Sequence, residues 1–224
     1  MSESNQTTPT FDLFGLDERI LDALADLGFE QPTPIQAAAL PALLEGRDMI
    51  GRARTGSGKT AAFGLPLLQR VREGGNKPRA LVLSPTRELA KQIGEALADY
   101  GGGLRSVRGV TIYGGAPYPP QIKALKRGAS VVVGTPGRVI DLLDGGSLDL
   151  SELEMFVLDE ADEMLSMGFY EDVSKILSLI PEGGQYLLFS ATVSDEVKRL
   201  VSRFLKDPVD LYLSTDMDQV EGIT

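Results

Sequence analysis

Two short stretches carry residues whose types and spacing suit phosphate chemistry. The first reads Ala53-Arg54-Thr55-Gly56-Ser57-Gly58-Lys59-Thr60. It follows the phosphate-loop pattern of glycine, four residues, then Gly-Lys-Ser/Thr, with Ala53 in place of the first glycine. Small residues there let backbone N–H groups wrap a phosphate, and the following helix presents its positive N-terminal end. Lys59 reaches the β- and γ-phosphates of a nucleotide, and the Thr60 hydroxyl suits Mg2+. The competing reading is a glycine-rich turn holding Gly-Lys-Thr by chance. The strand pattern before the loop and the helical pattern after it argue against that.

The second stretch is the apolar run Phe156-Val157-Leu158 leading into Asp159-Glu160-Ala161-Asp162. In open α/β sheets ligands bind beyond the carboxyl ends of strands, which brings these carboxylates toward the phosphate loop. Asp159 is suited to hold Mg2+ through its water shell. Glu160, adjacent and longer, is suited to orient or deprotonate an attacking water. Taken alone, the acidic run fits a charged helix N-terminus equally well.

Composition narrows the chemistry further. The chain of 224 residues has no histidine and no cysteine. That excludes Ser-His catalysis, disulfides and the usual zinc sites, and suits a reducing cytosol. Carboxylates, hydroxyls, lysine, arginine and hard metal ions remain. Net charge is −10. A nucleic-acid surface must therefore be a limited basic face on an acidic body, which argues against tight RNA binding by this chain alone. No apolar run approaches the roughly 20 residues of a membrane span. Met1–Thr10 is polar and lacks the layout of a secretory signal, so a cytoplasmic location is expected.

The elements that must position these residues follow from periodicity. Leu16, Ile20, Leu21, Leu24 and Leu27 recur at helical spacing, and Gly28 ends that helix. Thr33 caps a second helix with Pro34 at its first position; Pro41 is expected to kink it, and Gly46 to end it. Short apolar runs follow at Asp48–Gly51, Ala80–Ser84, Val107–Tyr113, Ser130–Gly134, Met155–Leu158 and Tyr186–Ser190. Helical stretches follow them at Lys59–Arg72, Arg87–Tyr100, Pro117–Lys126, Arg138–Leu143, Tyr170–Ile180 and Asp195–Leu205. This alternation predicts an α/β fold, a mostly parallel sheet with helices on both faces. Residues 1–10 read as a disordered tail, 11–206 as one nucleotide-binding domain, and 207–224 as a last strand and linker toward a further domain.

The two acidic and phosphate-loop motifs together resemble the signature of DEAD-box RNA helicases of bacterial type, and further motifs follow in family order. The family's own phosphate loop has alanine first, matching Ala53. Gly28-Phe29-Glu30-Gln31-Pro32-Thr33-Pro34-Ile35-Gln36 resembles the adenine-reading Q motif, with Phe11 upstream in the family's position. Pro85-Thr86-Arg87-Glu88-Leu89, Gly114-Gly115 and Thr135-Pro136-Gly137-Arg138 resemble RNA-contacting motifs. Ser190-Ala191-Thr192 resembles the motif that couples hydrolysis to unwinding. The resemblance runs from Phe11 to about Leu213.

The resemblance implies a RecA-like domain that binds ATP or ADP with Mg2+. Its nucleotide site would comprise Phe11, Gln31, Thr33, Gln36 and Arg54 to Thr60, with Thr60, Asp159 and Glu160 around the metal and Lys59, Asp159 and Glu160 catalytic. The Gln36 amide matches adenine's N6 donor and N7 acceptor, which would select ATP over GTP; the plain alternative is a surface glutamine. Phe11 would stack on the base, or else anchor the core. Arg87 and Arg138 begin helices after strand ends, where they would join backbone N–H groups in holding RNA phosphates without reading sequence. Asp162, Ser190 and Thr192 would link two strand ends and carry nucleotide state toward the RNA.

The family has a second RecA-like domain that supplies arginine fingers and a histidine-containing motif, and neither occurs here. An arginine finger is worth ~10³ to 10⁵ in rate in comparable enzymes. This chain alone is expected to bind nucleotide, hydrolyse it very slowly and unwind nothing. The alternatives are a DNA-directed translocase of the same superfamily and a non-catalytic ATP-dependent RNA clamp.

Overall fold

The computed structural model describes residues 9–53 and 56–212. Arg54, Thr55, most of the N-terminal tail and residues 213–224 of the linker lie outside them. A short 3-10 turn, Phe11–Phe14, is followed by α1 (Glu18–Asp26) and α2 (Pro34–Leu44). Then come β1 (Met49–Arg52), α3 (Lys59–Val71), β2 (Ala80–Leu83), α4 (Arg87–Tyr100), β3 (Gly109–Ile112) and α5 (Tyr118–Lys126). The chain continues through β4 (Val131–Gly134), α6 (Pro136–Asp144), β5 (Met155–Leu158), α7 (Ala161–Ser166) and α8 (Tyr170–Ser178). It closes with β6 (Gln185–Ser190), α9 (Asp195–Phe204) and β7 (Val209–Tyr212).

The strands form one seven-stranded sheet in the order β3-β4-β2-β5-β6-β1-β7, with every pairing parallel. A parallel strand needs a crossover to reach its neighbour, and the helices supply it on both faces. Alternate residues therefore enter opposite layers. Ala80 and Val82 of β2, with Met155 and Val157 of β5, pack under α1 to α4. Leu81, Leu83, Phe156 and Leu158 pack under the helices of the other face. The consecutive valines Val131, Val132 and Val133 split between the two layers in the same way.

Two buried polar side chains fix the rear of the sheet. Asp48 accepts from the backbone N–H groups of Tyr186 and Lys206 at 2.8 and 2.7 Å. Gln185 Nε2 donates to the carbonyls of Leu43 and Arg47 at 3.1 and 2.7 Å. Each replaces water for backbone groups that burial would otherwise leave unpaired.

Most predicted elements are present with ends shifted by no more than two residues. Two were not anticipated: the 3-10 turn and α7 directly after Glu160. Helix α6 begins at Pro136 rather than Arg138, because Thr135 takes an extended conformation and sets the first turn. Helix α2 runs through Pro41 to Leu44, with Glu45 at its C-cap. Among the described residues no helix is long and apolar enough to cross a membrane.

Candidate functional site

The strand order divides the carboxyl edge of the sheet into two halves. The adjacent strands β5, β6 and β1 end in the Asp159-Glu160 pair, the Ser190–Thr192 segment and the phosphate loop. The adjacent strands β3, β4 and β2 end in Gly114-Gly115, Thr135 and Pro85-Thr86. The halves meet where the Asp159 N–H donates to the Leu83 carbonyl at 3.0 Å, joining the ends of β5 and β2.

In the first half, β1 runs into the loop and Gly58 starts α3. Gly56 and Gly58 have φ of 84° and 93°, a region that glycine enters without Cβ strain. A Cβ at Gly58 would also lie 2.8 Å from both Gln36 Nε2 and Thr33 Oγ1. Those two side chains brace the loop. Gln36 Nε2 donates to the Gly58 carbonyl at 3.2 Å, and the Thr33 hydroxyl donates to the Ser57 carbonyl at 3.2 Å. The Thr33 N–H in turn donates to Gln36 Oε1 at 2.9 Å, capping α2.

Gln36 is thus a buried residue rather than a surface one, with both ends of its amide engaged inside the protein. Gln31 is exposed nearby and Thr60 is partly exposed. Phe11 lies in the core, its ring 6.3 Å from that of Phe29, which meets Tyr100 edge-on. Its position is that of a core anchor.

Lys59 is 5% exposed, and its ammonium lies 2.9 Å from Glu160 Oε1 and 3.6 Å from Asp159 Oδ1. A lysine so buried needs an opposite charge nearby. Asp159 Oδ1 is itself buried without a hydrogen-bond partner. Burial pushes the Asp159 carboxyl up to about 6; Lys59 pulls against the rise and Glu160 adds to it. A buried, under-coordinated carboxylate oxygen beside a phosphate loop fits a divalent cation that shares its remaining ligands with phosphate and water. Glu160 has φ 52° and ψ 51°, the left-handed region that a side chain enters at a cost of about 1–3 kcal/mol. That backbone turn separates Asp159, which follows the end of β5, from α7.

Asp162, Ser190 and Thr192 are brought together. Asp162 Oδ2 accepts from the Thr192 N–H at 2.9 Å and from its hydroxyl at 2.8 Å. The Asp162 N–H donates to Ser190 Oγ at 3.1 Å, and that hydroxyl donates to the Thr192 carbonyl at 2.7 Å. Burial works against the charged carboxylate, but these donors outweigh it and hold the Asp162 carboxyl below its usual range.

In the second half, Thr86 caps α4 by accepting from the Leu89 N–H at 3.2 Å, which leaves Arg87 exposed at the helix start. The Arg87 guanidinium and the Lys91 ammonium lie 5.2 and 5.3 Å from the centre of the Tyr113 ring. Arg138 is buried. Its Nη2 donates to the Ala116 carbonyl at 3.0 Å, while Nε and Nη1 have no hydrogen-bond partner. Its guanidinium stacks 3.8 Å above the Tyr118 ring. Gln121, a residue without a motif to flag it, accepts from the Tyr113 N–H and donates to the Tyr113 carbonyl, both at 3.2 Å. Gln121 and Arg138 together shape the loop carrying Gly114 and Gly115.

A family model described as DEAD/DEAH box helicase matches residues 33–200. The chain is 53% identical over 208 residues to the ATP-dependent RNA helicase DeaD of Escherichia coli strain K12, covering 93% of this chain and 33% of that protein. It is 48% identical over 215 residues to the protein of the same name from Mycobacterium tuberculosis, covering 96% and 38%. The chain thus spans about a third of the length of these relatives. A crystal structure of a DEAD box protein from Methanococcus jannaschii superposes with a TM-score of 0.83 at 43% identity. That match covers 90% of this chain and 55% of the other.

Proposed function

Since the chain belongs to the DEAD/DEAH box helicase family, we propose that it is the ATP-binding, N-terminal RecA-like domain of an RNA-dependent ATPase and helicase. The observation that carries this reading is the convergence of Lys59, Asp159 and Glu160 in one buried cluster at the phosphate loop. Lys59 would exchange its carboxylate partners for the β- and γ-phosphates. Asp159, with the Thr60 hydroxyl, would hold Mg2+, which supplies charge neutralisation at the phosphates when bound. Glu160 would hold and deprotonate the attacking water. Gln31, Thr33 and Gln36 would line the base, with the loop residues Arg54 to Gly58 around the phosphates and Phe11 behind the base.

RNA would lie across the other half of the edge, on Pro85-Thr86-Arg87, Gly114-Gly115 and Thr135-Pro136-Gly137-Arg138. Backbone N–H groups and two arginines there suit phosphates and offer little to read bases. The Asp162–Ser190–Thr192 bonds lie within the nucleotide half, where they would carry the γ-phosphate's presence toward the RNA side. Hydrolysis and unwinding need a second RecA-like domain in the same full-length protein. A cytoplasmic setting fits RNA as substrate. The relatives' printed names, RNA helicases, favour RNA over DNA as the polynucleotide.

Calorimetric titration of the chain with ADP, ATP and GDP tests the nucleotide site. Adenine nucleotides are expected to bind, GDP much more weakly, and Lys59→Ala to remove detectable triphosphate binding. Equal ATP affinity in Lys59→Ala would put the nucleotide elsewhere.

A further inference from the structure

The chain's charges are not spread evenly. Residues 101–140 contain Arg105, Arg108, Lys123, Lys126, Arg127 and Arg138, and none of the 32 Asp and Glu of the chain. This segment builds one continuous part of the fold: the edge strand β3, then α5, β4 and the start of α6. Among the described residues none of the six forms an ion pair, although lysines and arginines elsewhere do, as Lys77 does with Asp149 and Arg79 with Glu154.

Geometry makes a stripe of Arg138, Lys123, Lys126, Arg127 and Arg108. Arg138 stacks on Tyr118, the first residue of α5, beside the Gly114-Gly115 loop. Helix α5 then runs back along the sheet edge for its nine residues, about 14 Å at 1.5 Å per residue. Lys123, Lys126 and Arg127 are exposed, and their three- and four-residue spacings put them on one helix face. Arg108 Nη2 lies 2.7 Å from where a Cβ on Gly128 would stand, so Arg108 flanks the end of α5. Lys123, Lys126 and Arg127 also suit the negative end of the helix dipole. That accounts for three of the cations, not for the missing carboxylates or for Arg105 and Arg108.

We propose that this stripe is a second, sequence-independent binding surface for the RNA phosphate backbone, taking the RNA that flanks the segment held at Arg87 and Arg138. It rests on the RNA site proposed above and extends it. On a chain of net charge −10, uncompensated cations contiguous with that site and on an open sheet edge match a polyanion leaving it.

The test uses the 224-residue chain and two RNAs: a single-stranded hexauridylate, and the same segment joined to a hairpin. Affinities are read by fluorescence anisotropy across salt concentration. The wild-type protein is expected to bind the hairpin RNA more tightly and with a steeper salt dependence. The triple variant Lys123→Gln, Lys126→Gln, Arg127→Gln changes exposed residues only. It should flatten the slope of log affinity against log salt for the hairpin RNA by about 2 to 3, at roughly 0.7–0.9 per phosphate contact. Its hexauridylate affinity should stay within about twofold.

An unchanged slope overturns the stripe while leaving the edge site standing. Sensitivity of hairpin binding to the triple variant, combined with indifference of both RNAs to Arg138→Gln, supports the stripe and overturns the edge site. Binding to phosphatidylglycerol vesicles through the same three residues, with neither RNA bound, overturns RNA as the occupant. Absence of binding to either RNA and to vesicles overturns both.

Discussion

Gln36 and Gly58 are joined by a hydrogen bond of 3.2 Å from the side-chain amide to the loop carbonyl. With the bond from the Thr33 N–H to Gln36 Oε1, it makes one side chain serve as helix cap and loop brace. The amide keeps a second N–H and a second lone pair, so the same side chain can face an adenine edge while it holds these internal bonds. Nucleotide binding and loop geometry are then linked through a single residue.

Gln36→Ala is therefore expected to act before any nucleotide is added. It leaves a buried carbonyl and a helix-start N–H unpaired, at about 1–3 kcal/mol. At roughly 2–4 °C per kcal/mol for a domain of this size, the melting temperature should fall by about 2–12 °C. The preference for ADP over GDP should shrink as well. A melting temperature equal to wild type would mean the brace contributes nothing.

The Arg138–Tyr118 stack yields a second expectation. The Tyr118 hydroxyl donates to Asp141 Oδ2 at 2.7 Å, which fixes the ring under the guanidinium and raises the phenol's pKa. Nε and Nη1 of Arg138 are left for an acceptor. Tyr118→Ala should weaken single-stranded RNA binding by about 2- to 30-fold, from ~0.5–2 kcal/mol of cation–π stabilisation. Tyr118→Phe keeps the ring and should recover most of it. If Phe is as damaging as Ala, the hydroxyl rather than the ring face orients Arg138.

A third expectation concerns acid stability. Asp17 Oδ1 accepts from the N–H of Arg19 at 3.0 Å, capping α1, and the carboxylate also pairs with the Arg19 guanidinium at 2.8 Å. The Arg19 hydrogen bond is the main reason that the Asp17 carboxyl falls to about 2. A carboxylate lowered by folding stabilises the fold above its unfolded pKa, about 3.9. That contribution is lost as pH falls from there through about 2. Asp17→Ala should cost about 1 kcal/mol at pH 7 as a lost cap. The wild-type and variant stabilities should converge toward pH 2. A gap that stays constant down to pH 2 would show that the charge of Asp17 plays no part.

Which parts of this molecule are legible in sequence follows from physical range. Val131–Val133 announces a strand buried on both faces because both layers demand apolar residues. The phosphate loop is legible because glycine and lysine at fixed spacing have few other uses. Helix α7 is not, since Ala161–Ser166 is too short for a helical period to emerge. The destinations of single polar side chains are also hidden. Gln36, Gln121 and Arg138 carry no sequence signal for burial when taken one at a time. Each is buried by partners 8 to 22 residues away, such as Gly58, Tyr113 and Ala116. Phe11 suits either a base platform or a core residue by its type alone, and its burial against Phe29 is visible only in the fold.

The last expectation separates Asp159 from Glu160. The Lys59 ammonium sits closer to Glu160, at 2.9 Å, than to Asp159, at 3.6 Å. Glu160 thus competes with phosphate for the lysine. Glu160→Gln keeps the side chain's size but removes that charge, so nucleotide affinity should hold or rise. Hydrolysis should still fall by on the order of 10²–10⁴-fold, the usual contribution of a general base. A loss in the chemical step without a loss in binding marks an interaction made in the transition state. Asp159→Asn should behave differently. It takes the charge from a buried oxygen that has no hydrogen-bond partner. Its effect should appear as a higher Mg2+ requirement rather than as a slower step at saturating Mg2+. The measurements are nucleotide titration of the chain and single-turnover hydrolysis with the second domain and RNA supplied, over a range of Mg2+ concentrations. Wild-type hydrolysis by Glu160→Gln, or an unchanged Mg2+ requirement in Asp159→Asn, would show that the roles at this strand end are assigned wrongly.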